Sequence, residues 1–161
     1  PEMIKAIVEG RKTVTRRVIK PQPELDIINR WKWYPDKNTE ISWKEIYNQK
    51  MLTDYARYQV DEVVYIKEAW YQDPGGAIWY KLNPPGFLSD CDYWKSPLFM
   101  PAWAARYFIK ITDVGTERLQ LPLTPDELER EGGEIAIPML EKINGKWVFR
   151  YEFKLIDKQE I

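Results

Sequence analysis

A predicted helix and a predicted strand are joined by the segment Gly10-Arg11-Lys12-Thr13-Val14-Thr15-Arg16-Arg17, which we refer to as the basic segment. Apolar residues at helical spacing over residues 1–9 end at Gly10, and glycine readily takes the left-handed backbone that follows a helix end. Val, Thr and Ile over residues 13–19 favour a strand. The basic segment holds four cations, two hydroxyls and no acid, which suits an anion or a phosphate. The alternative is a solvated charged surface whose cations neutralise the carbonyl groups at the helix end.

The length and the charge of the chain limit the kinds of protein it can be. We expect a single domain over residues 1–161, which is long enough to bury a core. The net charge of −1 excludes a uniformly basic surface for nucleic acid, so any such surface is a local patch over residues 11–20. The sequence begins at Pro1 rather than Met, which leaves room for a preceding segment that includes a first strand.

The chain has no histidine and one cysteine, which removes several kinds of chemistry. Catalysis by Ser-His or Cys-His pairs, His-ligated metals, intrachain disulfides and thiolate metal clusters are all excluded. We therefore expect no metal and no cofactor. No apolar run approaches the length of a membrane span, and no signal peptide is present, so we expect a cytoplasmic protein without a membrane partner. The oligomeric state is open.

The remaining pattern predicts short strands that are separated by Gly and Pro turns, with helices at the edges. This combination indicates an α+β protein with a small, barrel-like mixed β-sheet and peripheral helices. Residues 24–57 lack a clean period before a capping box at Ser42, and we expect them to form a mainly helical excursion from the sheet. Within it, Trp31, Trp33 and Tyr34 alternate as on a strand that ends at the turn signal of residues 35–38. Strands are predicted over 62–70, 77–82, 106–113 and 147–156, an aromatic loop over 87–103, and helices after Thr124 and over 138–143.

Two carboxylates are placed where an acid is unfavourable. Glu68 shares the more apolar face of its predicted strand, so it is either paired with an arginine or part of a site. Glu131 lies at the C-terminal end of the helix that begins after Thr124, where the helix dipole disfavours an acid by about 0.3–1 kcal/mol. It also lies three residues after Leu128, on the buried side. The alternative for Glu131 is simple solvation at the surface.

Aromatic residues are frequent, with 8 Trp, 10 Tyr and 5 Phe. Most of them are expected to fill the core of a small β-rich domain. A minority can stack on nucleic-acid bases, and the candidates are Trp70, Trp79 and Trp103.

The pattern Gly10-x-Lys12-x-x-Thr15-x-Arg17 resembles the signature of the ASCH domain, a branch of the PUA-like superfamily. Later segments are similar to that family in the same order: a central strand that ends in Glu68-Ala69-Trp70, the segment Phe99 to Arg106, the acidic helix and the closing strand. One departure is that members place Gly-Asp before the central strand, where this chain has Asp61-Glu62. Aspartate tolerates an unusual backbone better than most residues, so we expect the turn to persist.

The resemblance implies a PUA-like barrel whose cleft takes RNA or a modified nucleoside. One branch of the superfamily deacylates cytidine derivatives with a Lys, Thr and Glu set, which corresponds to Lys12, Thr15 and Glu131 as catalytic residues. The substrate-binding residues that the resemblance and the composition suggest are Gly10, Arg11, Arg16, Arg17, Glu68 and Trp70.

Four hypotheses follow from these residues. The first is a module that binds RNA or a nucleoside, and the second is an amidohydrolase that uses Lys12, Thr15 and Glu131. The third is a ribonuclease, and the fourth is a protein whose basic segment contacts protein partners only. A lysine base requires a lowered pKa, and Lys12 and Thr15 converge only if the chain turns near Thr13. A narrow pocket favours the amidohydrolase, whereas an open basic groove from Arg17 favours RNA binding.

Overall fold

The computed structural model describes residues 2–42, 53–88 and 93–161 and shows an α+β protein. Within these residues the helices are α1 (Glu2–Val8), α2 (Pro125–Glu131) and α3 (Ile137–Ile143). The strands are β1 (Val14–Val18), β2 (Glu24–Leu25), β3 (Trp31–Asp36), β4 (Thr39–Ile41), β5 (Val63–Tyr65), β6 (Trp70–Gln72), β7 (Ile78–Tyr80), β8 (Phe108–Arg118) and β9 (Trp147–Ile156).

The main sheet is antiparallel, has the strand order β1-β9-β8-β5, and curls into a half-barrel. In the β1–β9 pair Thr15 lies opposite Tyr151, and Arg17 lies opposite Phe149. Because side chains alternate along a strand, these four residues share one face of the sheet. Helices α2 and α3 cover the other face, where Val148 packs with apolar residues of both helices. Trp33 and Ile41 pack against Phe149 and Tyr151 on the first face, which also carries the cleft described below.

Residues 24–42 form a small three-stranded sheet, β2-β3-β4, so the predicted helical excursion is wrong for this part of residues 24–57. The alternation of bulky residues in β3 turns Trp33 inward, and it packs with Ile41, Phe149 and Tyr151 in one cluster. Asp36 stabilises the β3–β4 turn, since its carboxylate accepts hydrogen bonds from the Asn38 N–H and the Thr39 hydroxyl. The helix predicted from Ser42 falls mainly on residues 43–52, which lie outside the described residues.

The single strand predicted over residues 62–70 is also wrong, because the chain changes sheets within it. Strand β5 pairs with β8, whereas β6 forms a two-stranded sheet with β7. Residues 66–69, between β5 and β6, do not continue the strand. The buried Glu68 carboxylate in this segment accepts two 2.8 Å hydrogen bonds from Arg106. The arginine partner that the sequence analysis gave as one alternative for Glu68 is thus present. Satisfying a buried charge outweighs the strand period here.

Other predicted elements are confirmed. The capping box at Thr124 starts α2, and Gly132 ends it with φ of 114°. Strand β9 has the predicted bounds. Strand β8 runs to Arg118, five residues beyond its predicted end, because a register shift between Ile111 and Asp113 lets it keep pairing with β9.

Asp61 takes the position at which the resemblance expects glycine, and its φ of 70° is in the left-handed region. The turn is stabilised by the Asp61 N–H, which donates to the Ile111 carbonyl at 2.9 Å, and by a 2.7 Å ion pair with Lys110. The expected turn therefore persists with aspartate in place of glycine. In the described ranges no helix is both long and apolar enough to cross a membrane.

Candidate functional site

The basic segment begins where α1 ends. Gly10 has φ of 73°, and its N–H donates to the Ile7 carbonyl at 3.0 Å. The Lys12 N–H reaches further back, to the Ala6 carbonyl at 2.9 Å. A left-handed residue followed by such back-bonded N–H groups is a common way to satisfy the last carbonyls of a helix. The glycine thus ends the helix and directs the chain into β1.

The same segment also closes the C-terminal end of α2. The Thr13 N–H donates to the Arg130 carbonyl at 2.9 Å. The Lys12 ammonium donates to the Glu131 carbonyl at 2.6 Å, to the Val14 carbonyl at 2.7 Å and to the Glu131 carboxylate at 3.1 Å. A cation at the C-terminal end of a helix interacts favourably with the helix dipole. Lys12 therefore connects α2 to the start of β1.

Glu131 has no solvent exposure, and its two carboxylate oxygens bind two different cations. Oε2 accepts from Lys12, and Oε1 accepts from the Arg16 guanidinium at 2.8 Å. Arg16 also binds Glu117, and it lies 3.5 Å from Glu127. Because Arg16 is only 2 % exposed and is committed to carboxylates, it does not belong to the exposed basic patch that the sequence predicted. Alternation along β1 places it on the helix-covered face of the sheet.

The hydrogen bonds of Lys12 indicate its protonation state. Burial lowers the pKa of the Lys12 ammonium, and the Glu131 carboxylate opposes this effect. The nitrogen has three oxygen acceptors, and only the charged ammonium has three protons to donate. The observed arrangement therefore fits a cationic Lys12 rather than a neutral amine that acts as a general base.

Lys12 and Thr15 both line a cleft of about 650 Å³ on the face of the sheet opposite to α2 and α3, which we refer to as the main cleft. Strand β1 starts only at Val14, so Lys12 precedes the regular alternation and reaches the same side as Thr15. Residues 11–13 precede the strand and have no regular secondary structure, so the strand alternation does not separate the two side chains. Glu131 is not among the lining residues and lies behind Lys12. The lining residues are Ile7, Lys12, Thr15, Arg17, Val18, Tyr55, Arg57, Tyr58, Val64, Tyr65, Ile66, Lys67, Ile109, Phe149, Tyr151 and Phe153.

The charge of the main cleft is entirely positive among the described residues, since cations line it and no carboxylate does. Arg17 is exposed at its edge. Arg57 lies over the Tyr58 ring, with its guanidinium 5.5 Å from the ring centre. The Lys67 ammonium lies 5.6 Å from the centre of the Tyr65 ring and donates to a backbone carbonyl. Unlike Arg11 and Arg16, these three cations have no carboxylate partner among the residues that the structure describes.

Tyrosine and phenylalanine form most of the apolar wall of the main cleft. Tyr151 is buried, its hydroxyl accepts from the Arg57 N–H at 3.2 Å, and its ring packs edge-on against Tyr58 at 5.6 Å. Burial raises the pKa of Tyr151. The sequence analysis missed these residues as site candidates. The alternation of aromatics along β9 was the available signal, but it was assigned to the core.

Several predicted site residues lie away from the main cleft. Gly10 shapes the helix end, and Arg11 forms ion pairs with Glu9 at 2.6 Å and Glu129 at 3.6 Å. Glu68 is bound to Arg106, as described above. The candidates for base stacking also lie elsewhere: Trp70 is 5 % exposed and belongs to a core cluster, Trp79 packs on Phe87, and Trp103 packs edge-on against Trp70.

The main cleft thus offers a ligand exposed cations at its rim and aromatic surface inside. This combination suits an anion that carries a planar ring system. In the part of the chain that the structure describes, no group of three or more Cys, Asp or Glu side chains is arranged to hold a metal ion.

Comparisons of the chain with family models, with curated proteins and with solved structures found no match.

Proposed function

We propose that this chain is an RNA-binding module of the ASCH type, with a PUA-like fold, and that the main cleft holds the RNA. The observation that carries the proposal is the lining of the cleft, which combines tyrosine rings with three cations that have no carboxylate partner among the described residues and has no described carboxylate of its own. The half-barrel sheet and the position of Lys12, Thr15 and Arg17 at the cleft are in keeping with the family resemblance.

The proposed binding mode divides the work between two kinds of side chain. Arg17, Arg57 and Lys67 bind phosphate groups, which supplies affinity that depends on salt. Tyr58 and Tyr65 present ring faces or edges to an unstacked base, which is how single-stranded RNA is commonly recognised. The buried Lys12 holds the cleft wall in place through its bonds to α2. A free nucleoside lacks the phosphate, so we expect it to bind more weakly than a nucleotide.

An amidohydrolase that uses Lys12, Thr15 and Glu131 is the second candidate. The observation in its favour is that Lys12 and Glu131 are 3.1 Å apart while Lys12 and Thr15 line one cleft. Two observations oppose it: Glu131 does not reach the cleft, and all three protons of Lys12 are donated. We therefore place binding first.

The test is a binding titration with fluorescently labelled single-stranded RNA, and with DNA of the same sequence, at two salt concentrations. We expect Lys67→Ala to weaken RNA binding about tenfold at low salt, since it removes one charged interaction with a phosphate. The slope of log K against log salt should become shallower by about 0.7 for each phosphate that the variant no longer neutralises.

Lys142→Ala is the matched control, because it removes the same charge from an exposed position on α3, outside the main cleft. Equal losses in the two variants would indicate nonspecific attraction and would contradict the proposal. Incubation of wild-type protein with acylated cytidines tests the second candidate. If the wild-type protein deacylated these cytidines and Thr15→Val did not, the function would be hydrolysis and the binding proposal would be wrong.

A further inference from the structure

A second cleft of about 470 Å³ adjoins the main cleft and shares a wall with it. The two clefts share five of their lining residues, so they adjoin each other, and we refer to the pair as the groove. The shared residues are Arg57, Tyr58, Val64, Tyr65 and Lys67. The second cleft adds Val63 from β5, Leu98 from the short turn Pro97–Phe99, and Glu62.

The cations are distributed unevenly between these two clefts. Lys12 and Arg17 line the main cleft alone, whereas Arg57 and Lys67 line both. Positive charge is therefore placed at the boundary between two cavities that each have apolar walls. A phosphodiester carries a negative charge and links two nucleosides, so it suits cations at the boundary of two such cavities.

The second cleft differs from the main cleft in having one carboxylate. Glu62 lines it, and its side chain accepts a hydrogen bond from the Gln59 N–H at 2.9 Å. Since a carboxylate repels phosphate, the far part of the second cleft suits an uncharged base or sugar rather than another phosphate. Val63 and Leu98 supply apolar surface there, and Leu98 is 71 % exposed.

We infer that the second cleft is a subsite for a neighbouring nucleotide, so that the ligand is a single strand of at least two nucleotides whose linking phosphate binds Arg57 and Lys67. This inference rests on the proposed function and extends it. The main cleft then takes one nucleotide, and the second cleft takes the base of the next one.

The experiment measures the affinity of a nucleoside 5′-monophosphate and of the dinucleotide that extends it. For the wild-type protein we expect the dinucleotide to bind at least about tenfold more tightly than the monophosphate, because stacking of one further base strengthens binding by about this factor. Leu98→Glu places a second carboxylate in the second cleft. It should abolish the gain from the second nucleotide, measured as the ratio of the dinucleotide and monophosphate affinities of the same variant.

Phe99→Glu is the matched control. Phe99 is the next residue, is similarly exposed at 73 %, and lines neither cleft, so the same new charge there should leave the gain intact. Thermal unfolding of both variants verifies that they are folded.

The possible outcomes separate the two proposals. Equal affinity for monophosphate and dinucleotide in the wild type would overturn the second subsite while the RNA-binding function stood. An equal loss of the gain in Leu98→Glu and Phe99→Glu would also overturn it. No binding at any length would overturn the proposed function and the subsite together.

Discussion

Glu131 lies between two cations and has no contact with solvent. Its charge is therefore compensated entirely by the protein, and each cation in turn depends on it. Replacement by glutamine keeps the shape but turns an N–H₂ group towards Lys12 or Arg16, both of which are donors. Removing one partner of a buried ion pair costs about 3–5 kcal/mol, because an uncompensated charge stays buried.

We accordingly expect Glu131→Gln to lower the free energy of unfolding by about 3 kcal/mol in urea titrations followed by tryptophan fluorescence. Glu129→Gln is the control on the same helix. Its carboxylate is largely exposed and pairs with the exposed Arg11 at 3.6 Å, so its loss should cost less than about 0.5 kcal/mol. Similar values for the two variants would show that Glu131 is not essential for stability.

Glu152 makes folding stability sensitive to acid. Burial raises the pKa of its carboxyl, but the hydrogen bonds from Arg150 and Arg130 outweigh burial, so the pKa lies below its ordinary value of 4.5. The unfolded chain then binds more protons than the folded one at low pH. The stabilisation is fully present above pH 4.5 and is lost as the pH falls through the lowered pKa of the folded state.

Unfolding free energies measured between pH 6 and pH 3 should therefore decline less steeply for Glu152→Gln than for the wild type. Glu141→Gln, at an exposed position on α3, controls for the change in net charge. If the unfolding free energy of Glu152→Gln declined with pH as steeply as that of the wild type, the acid sensitivity would belong to other carboxyl groups.

The individual residues differ in how well the sequence identified them. Glu131 was identifiable because an acid at the wrong end of a helix requires a partner. Arg57 and Lys67 were not identifiable, since an isolated cation between apolar residues has the same pattern on a surface as in a cleft. Arg16 was assigned to the exposed patch because charge composition ignores the face of the strand, which alternation along β1 decides.

Helix α2 shows how a short element can be positioned at both of its ends. Thr124 caps its start, and Gly132 turns the chain away with φ of 114°. A Cβ atom at Gly132 would lie 2.9 Å from the Met3 sulfur and 3.5 Å from the Lys12 side chain. The end of α2 therefore contacts α1 and the basic segment so closely that only glycine fits there without a shift.

Gly132→Ala is expected to lower the free energy of unfolding by about 2–3 kcal/mol, chiefly through the strained backbone, with a smaller contribution from displacing the flexible Met3 side chain. Gly145→Ala separates the two effects: its φ is 77° and no atom lies within 4 Å of the added Cβ, so only about 1–2 kcal/mol should be lost. Chemical denaturation of both variants provides the comparison. A loss in Gly132→Ala no larger than in Gly145→Ala would exclude a role for the contact.

Strands were predictable where bulky residues alternate over most of their length, as in β9, in which Phe149, Tyr151 and Phe153 are buried. They were less predictable where a single buried group changed the path. Glu68 binds Arg106 where the predicted strand over residues 62–70 is interrupted. The pattern of residues in the sequence does not reveal that these two side chains meet in space. Likewise β8 extends to Arg118 because β9 pairs with it, which is a tertiary effect on strand length.

At the scale of the whole molecule, turn spacing and composition were sufficient to predict an α+β protein with a barrel-like sheet, but the predicted mixed sheet is wrong, since all described pairs of the main sheet are antiparallel. They did not predict the groove, which combines residues of the basic segment, residues 55–67 and β9. This combination depends on the order of strands in the sheet, and that order cannot be inferred from the pattern of residues in a single sequence. The tyrosines of the groove were therefore indistinguishable from core residues before the fold was known.

Strand β9 lies between β1 and β8 in the main sheet although it is the last of the described strands to be synthesised. A chain that is still growing on the ribosome has β1 and β8 without the strand that joins them, and it lacks Phe149, Tyr151 and Phe153 of the cleft wall. The main cleft is therefore complete only after these residues of β9 have been synthesised. The RNA binding that we propose begins only at that point, so activity is tied to completion of the last described strand.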